Sequence, residues 1–257
     1  SNGYKFILPV LTSIITGIIS FGFYYDTSII LYIAVPLFVL LLLILLVIAM
    51  FDKKINMTDM LTMFGFMLYG GLSFSLLAGL RFITFTNHYD YWGISLPFMD
   101  INLIGLVLVG YALVTSFATD IGAQLGGLAF GKHKLCPSIS PKKTIEGALS
   151  GLLIGATSGT ILLVACEFIG DFSVFGITKW YFNIPVIFII SIMLSVFGQV
   201  GDLVASKIKR EHDIKDYGNI FPGHGGVLDR FDSVIFVSLV TFSIVLIINY
   251  LIGGSLW

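Results

Sequence analysis

Residues 206–232 read SKIKREHDIKDYGNIFPGHGGVLDRFD, and the fold is read outward from them. These 27 positions hold five basic residues, five acidic residues, two histidines and four glycines. The cations are Lys207, Lys209, Arg210, Lys215 and Arg230, and the carboxylates are Glu211, Asp213, Asp216, Asp229 and Asp232. Apolar runs flank the stretch on both sides, Ile184 to Val200 and Val234 to Ile252, each close to the length of a bilayer span. Charge held between two such runs has no packing reason to exist, so the stretch reads as a site.

Composition agrees. Hydrophobic residues make up 57% of the 257 positions and charged residues 11%, the balance of an integral membrane protein. Net charge is -1 and no basic face recurs along a helix, so nucleic acid is not expected as a partner. Cys136 and Cys166 fall in a polar loop and an apolar run, which argues against a disulfide framework. The first apolar run is followed by no small-residue cleavage signature and is expected to be a retained span.

Spans of about 20 apolar residues are expected at Phe6–Phe23, Ile29–Phe51, Met57–Leu80, Ile101–Ala118, Ile145–Phe168, Ile184–Ala205 and Val234–Ile252. The aromatic-rich 82–99 stretch reads as an interfacial loop or a further short span. The expected fold is therefore all-α and polytopic, with about seven transmembrane helices and a range of six to nine. Residues 1–100 form an N-terminal transmembrane region and residues 101–257 a catalytic one. With the N-terminus inside, 12 of the 14 Lys and Arg residues lie on the inner side. That orientation puts two polar loops, 119–144 and 206–233, on the cytosolic face, where they can form one site.

The first loop has Asp120 at the end of a span, then glycines at 122, 126, 127 and 131. Gly-rich backbone can approach a phosphate and Lys142 and Lys143 can neutralise it; equally, the glycines can serve helix packing and the lysines can sit among lipid headgroups. Gly147, Gly151, Gly155 and Gly159, spaced by four within a span, form a stripe for close helix contact. The same stripe is the basis for a possible homodimer.

In the second loop, Asp202, Ser206 and Lys209 fall at i, i+4 and i+7 and share a helical face. Asp229 and Asp232 lie one turn apart where the last span begins. Hard oxygen ligands near phosphates suit Mg²⁺, which takes one or two carboxylates together with substrate phosphates. Asp202 and Asp229 are the expected ligands, against the alternative of an interfacial ion pair with a lysine such as Lys209. Pro222-Gly223-His224-Gly225-Gly226 reads as a turn whose open N–H groups can cradle an anion, with His224 as a further donor.

Three segments of this cluster carry a resemblance. Ser206-Lys-Ile-Lys-Arg, then Lys215-Asp216-Tyr-Gly218, then Phe221-Pro222-Gly-His224-Gly225-Gly226-Val-Leu-Asp229-Arg230-Phe-Asp232 resembles the signature of the phosphatidate cytidylyltransferase (CDP-diglyceride synthase) family. Ser140-Pro141-Lys142-Lys143-Thr144-x-Glu146-Gly147, Gly131-Lys-His-Lys and Gly201-Asp202-Leu203 are also similar to it. The likeness covers residues 110–240; it departs at Ile121-Gly122-Ala123-Gln124, where an aromatic is expected near the Gln.

The resemblance implies a Mg²⁺-dependent CTP:phosphatidate cytidylyltransferase, in which CTP and phosphatidic acid give CDP-diacylglycerol and pyrophosphate. It assigns catalytic roles to Asp202, Asp229, Lys209, Arg210, His224 and Arg230. Substrate contacts fall to Ser140, Lys142, Lys143, Thr144, Glu146 and Ser206, and to Lys207, Lys215, Asp216, Gly225, Gly226 and Asp232. The implied place is the cell (inner) membrane with the site facing the cytosol. A CTP-dependent polyprenol kinase is the nearest rival. A transporter would place charges at mid-span in two related halves, and a CDP-alcohol phosphotransferase would carry a run of aspartates that this chain lacks.

Overall fold

The computed structural model describes residues 73–81, 102–170, 179–211 and 228–252, with isolated positions such as Tyr69, 173–175 and Tyr217. The elements are α1 (Ser73–Arg81), α2 (Asn102–Phe130), β1 (Lys134–Cys136), β2 (Ser140–Thr144), α3 (Ile145–Gly170), α4 (Trp180–Glu211) and α5 (Leu228–Ile252). Helices α2 to α5 are each long and apolar enough to cross a membrane. They cover the last four expected spans, and the protein is an integral membrane protein. The expected spans at 6–23 and 29–51, most of that at 57–80, and the 82–99 stretch lie outside the described residues.

Three expectations are corrected. Helix α2 continues to Phe130, so residues 119–130 are helical and Asp120 lies within the helix, not in a loop. The reason is packing. A Cβ at Gly122 would come within 2.8 Å of Ile154, and one at Gly151 within 2.6 Å of the Thr119 carbonyl. Glycine costs a helix roughly 1 kcal/mol against alanine, and here close contact between α2 and α3 offsets that cost. Second, α4 runs to Glu211 and α5 begins at Leu228, so Asp202, Ser206, Lys209, Asp229 and Asp232 all stand on helices. Among the described residues these five candidates stand on helix ends, while Lys142 and Lys143 stand on the segment between α2 and α3. Third, the all-α reading misses a short antiparallel β1–β2 hairpin that pairs Lys134 with Thr144 and Cys136 with Ser140.

The α3 glycine stripe is structural, as read. Gly147, Gly151, Gly155 and Gly159 are all buried, meeting Ala123, Thr119 and Thr115 of α2 in the same chain. It therefore offers no face to a second copy, and a homodimer would need another.

Leu108, Tyr111, Leu163, Ile187, Leu194 and Val237 are fully buried where α2, α3, α4 and α5 meet, and Leu80 of α1 joins them. A seam of hydroxyls threads this core. Tyr111 and Ser191 share a 2.7 Å hydrogen bond, Thr160 donates to Ser191 at 3.2 Å, and Thr119 and Ser195 share another at 2.7 Å. Apolar side chains gain little by leaving lipid for a helix interface, so such bonds and the glycine contacts hold the bundle in register.

Candidate active site

The hairpin is fastened to α3 before it reaches the site. Thr144 Oγ1 accepts a 3.2 Å bond from Gly147 N, capping the first turn of α3. The Glu146 carboxylate accepts from Lys132 N at 3.0 Å and His133 N at 3.2 Å, and meets His133 Nδ1 at 2.6 Å. Ile145 N bonds the His133 carbonyl at 2.9 Å. Thr144 and Glu146, read from sequence as substrate contacts, thus hold the hairpin in place.

So anchored, β2 lays Lys143 against the C-terminal part of α4, where its ammonium pairs with Asp202 Oδ2. This contact joins the two polar segments that the sequence placed on one side. A cavity of about 460 Å³ opens beside the pair, lined by Asp120, Gln124, Lys142, Lys143, Gln199 and Asp202 among others. Its size suits a small-molecule ligand. Lys142 makes no ion pair among the described residues and is exposed on its rim.

The carboxylates come from three helices. Asp120 Oδ2 accepts a 2.9 Å bond from Ser233 Oγ of α5. Asp202 and Asp232 both stand within electrostatic reach of Asp120, as does Lys143. Ser206 Oγ lies 3.5 Å from Asp202 Oδ1. Asp232 Oδ1 accepts from Ser233 N at 2.9 Å, and Lys209 Nζ lies 3.9 Å from Asp232 Oδ2.

Asp229 sits differently. Its Oδ1 takes Lys209 Nζ at 3.0 Å and its Oδ2 takes Tyr217 N at 2.8 Å. Tyr217 OH donates to the Ala205 carbonyl at 3.1 Å, and its ring lies 5.3 Å from Lys209 Nζ. Burial, then the charges of Asp229 and Asp232, push the Tyr217 phenol up to about 12.

Among the described residues Asp120 Oδ1 accepts no hydrogen bond, Asp202 Oδ1 has only the long contact to Ser206, and Asp232 Oδ2 only the distant Lys209. No three His, Cys, Asp or Glu side chains are gathered tightly enough to enclose an ion among these residues. Sparse, hard oxygen donors fit a cation that keeps waters and takes phosphate oxygens, which is the habit of Mg²⁺.

Of the other expected residues, Lys207 pairs with Glu211 at 3.0 Å on an exposed face, and Arg210 and Arg230 are also exposed. Ser140 lies in β2, half-buried. Lys215, Asp216, His224, Gly225 and Gly226 lie outside the described residues. Sequence reasoning missed four members: Asp120 as part of the cluster, Gln199, Ser233 and Tyr217. Asp120 and Gln199 carried the signal of a polar group in an apolar run; Ser233 and Tyr217 carried none that spacing reveals.

The chain is 44% identical over 140 residues to the phosphatidate cytidylyltransferase of Bacillus subtilis (strain 168), covering 54% of this chain and 47% of that one. It is 46% identical over 133 residues to that of Staphylococcus haemolyticus (strain JCSC1435), covering 52% and 46%. For Staphylococcus aureus (strain COL) the values are 42% over 148 residues, covering 57% and 52%. The chain spans about half the length of the curated relatives it matches. The family match is longer, running over residues 2–248. With the lysine-lined cavity and carboxylate cluster inside that range, the chain belongs to the cytidylyltransferase family.

Proposed function

We propose that the protein transfers CMP from CTP to phosphatidic acid, giving CDP-diacylglycerol and pyrophosphate for phospholipid synthesis. The observation that carries this reading is the cavity at one end of the membrane helices, lined by Lys142 and Lys143 together with Asp120 and Asp202. Cations there can neutralise phosphates at the depth where a lipid headgroup lies. The reaction needs positioning and charge neutralisation more than covalent chemistry.

The phosphate oxygen of the lipid attacks the α-phosphorus of CTP in line, the bond to the β-phosphate oxygen breaks, and pyrophosphate leaves. Lys142, Lys143 and Lys209 neutralise the oxygens, with Arg210 and Arg230 near the membrane face. Lys143 would exchange its bond to Asp202 for phosphate. Asp202 would hold Mg²⁺, with the lightly used carboxylate oxygens of Asp120 and Asp232 adjoining it; Asp229 would join them by giving up its bonds to Lys209 Nζ and Tyr217 N. When bound, that ion would supply charge stabilisation to the attacking and leaving oxygens. The site belongs to the 101–257 region and faces the cytosol of the cell (inner) membrane, where CTP is available.

The test is direct. Purified protein given labelled CTP and phosphatidic acid should form a labelled CDP-lipid and pyrophosphate in equal amounts. Label transferred instead to a polyprenol, or no lipid product in the presence of Mg²⁺, overturns the reading.

A further inference from the structure

We propose that Gln199 selects the nucleotide base, its Oε1 accepting a hydrogen bond from the exocyclic amine of cytosine. This rests on the reading that CTP is the nucleotide.

Gln199 interrupts an apolar stretch of α4 one turn before Asp202 and lines the same cavity. Its direction is fixed by the other side of the helix. Gly198 and Gly201 are buried against α5, where a Cβ would come within 3.1 Å of Val237 and 2.8 Å of Phe236 respectively. That packing turns Gln199 and Asp202 away from α5, toward α3 and the hairpin.

The amide is fixed as well. Its Nε2 donates a 3.0 Å bond to the Ala148 carbonyl of α3. A carbonyl oxygen can only accept, so the NH₂ must face Ala148 and the amide cannot flip. Oε1 therefore points elsewhere, and it accepts no hydrogen bond from any described residue. Gln199 lines the cavity, so the residue brings a fixed acceptor to it, one turn from the carboxylate that meets Lys143.

An oriented acceptor recognises a donor. The ester oxygens of a diacylglycerol phosphate are all acceptors and gain nothing from it. CTP offers the cytosine N4 amine and the ribose hydroxyls. UTP has an acceptor oxygen at the position of that amine, so two lone-pair atoms would face one another and both would lose water. A carboxyl oxygen accepting from cytosine N4 is an established way of reading that base, and an amide oxygen offers the same kind of acceptor. A site built around one hydrogen bond penalises the analogue that lacks it, because its own polar group is left unpaired.

The experiment measures kcat/KM for CTP, UTP and dCTP with phosphatidic acid, on the full chain and on Gln199→Leu. The wild-type protein should prefer CTP to UTP, and Gln199→Leu should lose about 10- to 100-fold of that preference, with the CTP to dCTP ratio unchanged. Each ratio is taken within one preparation, so misfolded material cancels. Gln199→Met, unbranched and of similar length, carries the same expectation. If neither variant turns over, equilibrium binding of labelled CTP with UTP as competitor reads the same ratio. An unchanged CTP to UTP ratio in both variants overturns the proposal, as does a change confined to the CTP to dCTP ratio, which would put the acceptor on ribose. Absence of any CDP-lipid from the wild-type protein is a separate failure, that of the proposed function.

Discussion

Ser233 Oγ donates a 2.9 Å hydrogen bond to Asp120 Oδ2, joining α5 to α2 across 113 residues of sequence. The bond fixes which way the carboxylate turns, in an end of the bundle where Asp202 and Asp232 also act on it. A hydrogen bond contributes about 0.5–1.5 kcal/mol net, enough to favour one orientation. Asp120→Asn keeps the shape and removes the charge, so turnover should fall by about 10²-fold, the scale of losing one group that stabilises developing charge. Ser233→Ala leaves the charge but frees its direction and should cost about tenfold, since small misplacements at a reacting centre are expensive. Steady-state rates on purified variants decide this; wild-type turnover in Asp120→Asn would remove Asp120 from the site.

Asp202 and Asp229 meet lysines of different origin, Lys143 from the hairpin and Lys209 from α4. Both carboxylates serve by charge if Mg²⁺ binds between them and substrate phosphates. Asn at either position should lower turnover at least ~100-fold, while the protein still inserts and purifies. A Mg²⁺ titration checks the assignment, because the variants should also need more Mg²⁺ for half-maximal rate. Near-normal turnover of both at low Mg²⁺ would falsify the ligand roles.

The helices of the described region were legible because apolar length is a strong signal, and Asp202 stood out as a carboxylate in an apolar run. The helix ends were not legible. Residues 119–130 are rich in glycine, which by local preference favours a loop; what makes them helical is the facing glycine stripe of α3, a partner that lies more than 20 residues away. The same logic hid Ser233. A serine next to Asp232 has no distinguishing pattern until α2 brings Asp120 to it. Glu146 shows the converse: the resemblance implies substrate contact, and the fold adds a role that spacing does not reveal, its oxygens accepting from Lys132 and His133.

Tyr217 offers a spectroscopic test of the Lys209–Asp229 corner. Its phenol titrates near 12 against an ordinary value of 10, because burial and then the nearby Asp229 and Asp232 oppose the phenolate. An acid whose folded value is raised keeps its proton longer in the fold than in the unfolded chain. Stability is therefore unaffected below about pH 10 and falls as pH rises through the window from 10 to 12. The difference in phenolate absorbance between wild-type protein and Tyr217→Phe should rise with a midpoint near 12. Asp229→Asn should bring that midpoint down. A midpoint at the ordinary value would show Tyr217 to be solvated and the corner open.

Cys136 provides a native reporter of sidedness. It lies in β1, partly exposed, in the hairpin whose other strand brings Lys143 to Asp202. Because of that ion pair, the face Cys136 reports is the face of the site, whatever the number of spans before residue 100. The excess of Lys and Arg on this side predicts that it is cytosolic. Cys166 is four residues before the far end of α3, and Cys166→Ser leaves Cys136 as the one thiol in the chain. A membrane-impermeant maleimide should then miss the protein in intact cells and label it in inverted vesicles. Labelling from outside would invert the topology, and CTP made in the cytosol would have no direct route to Lys142 and Lys143.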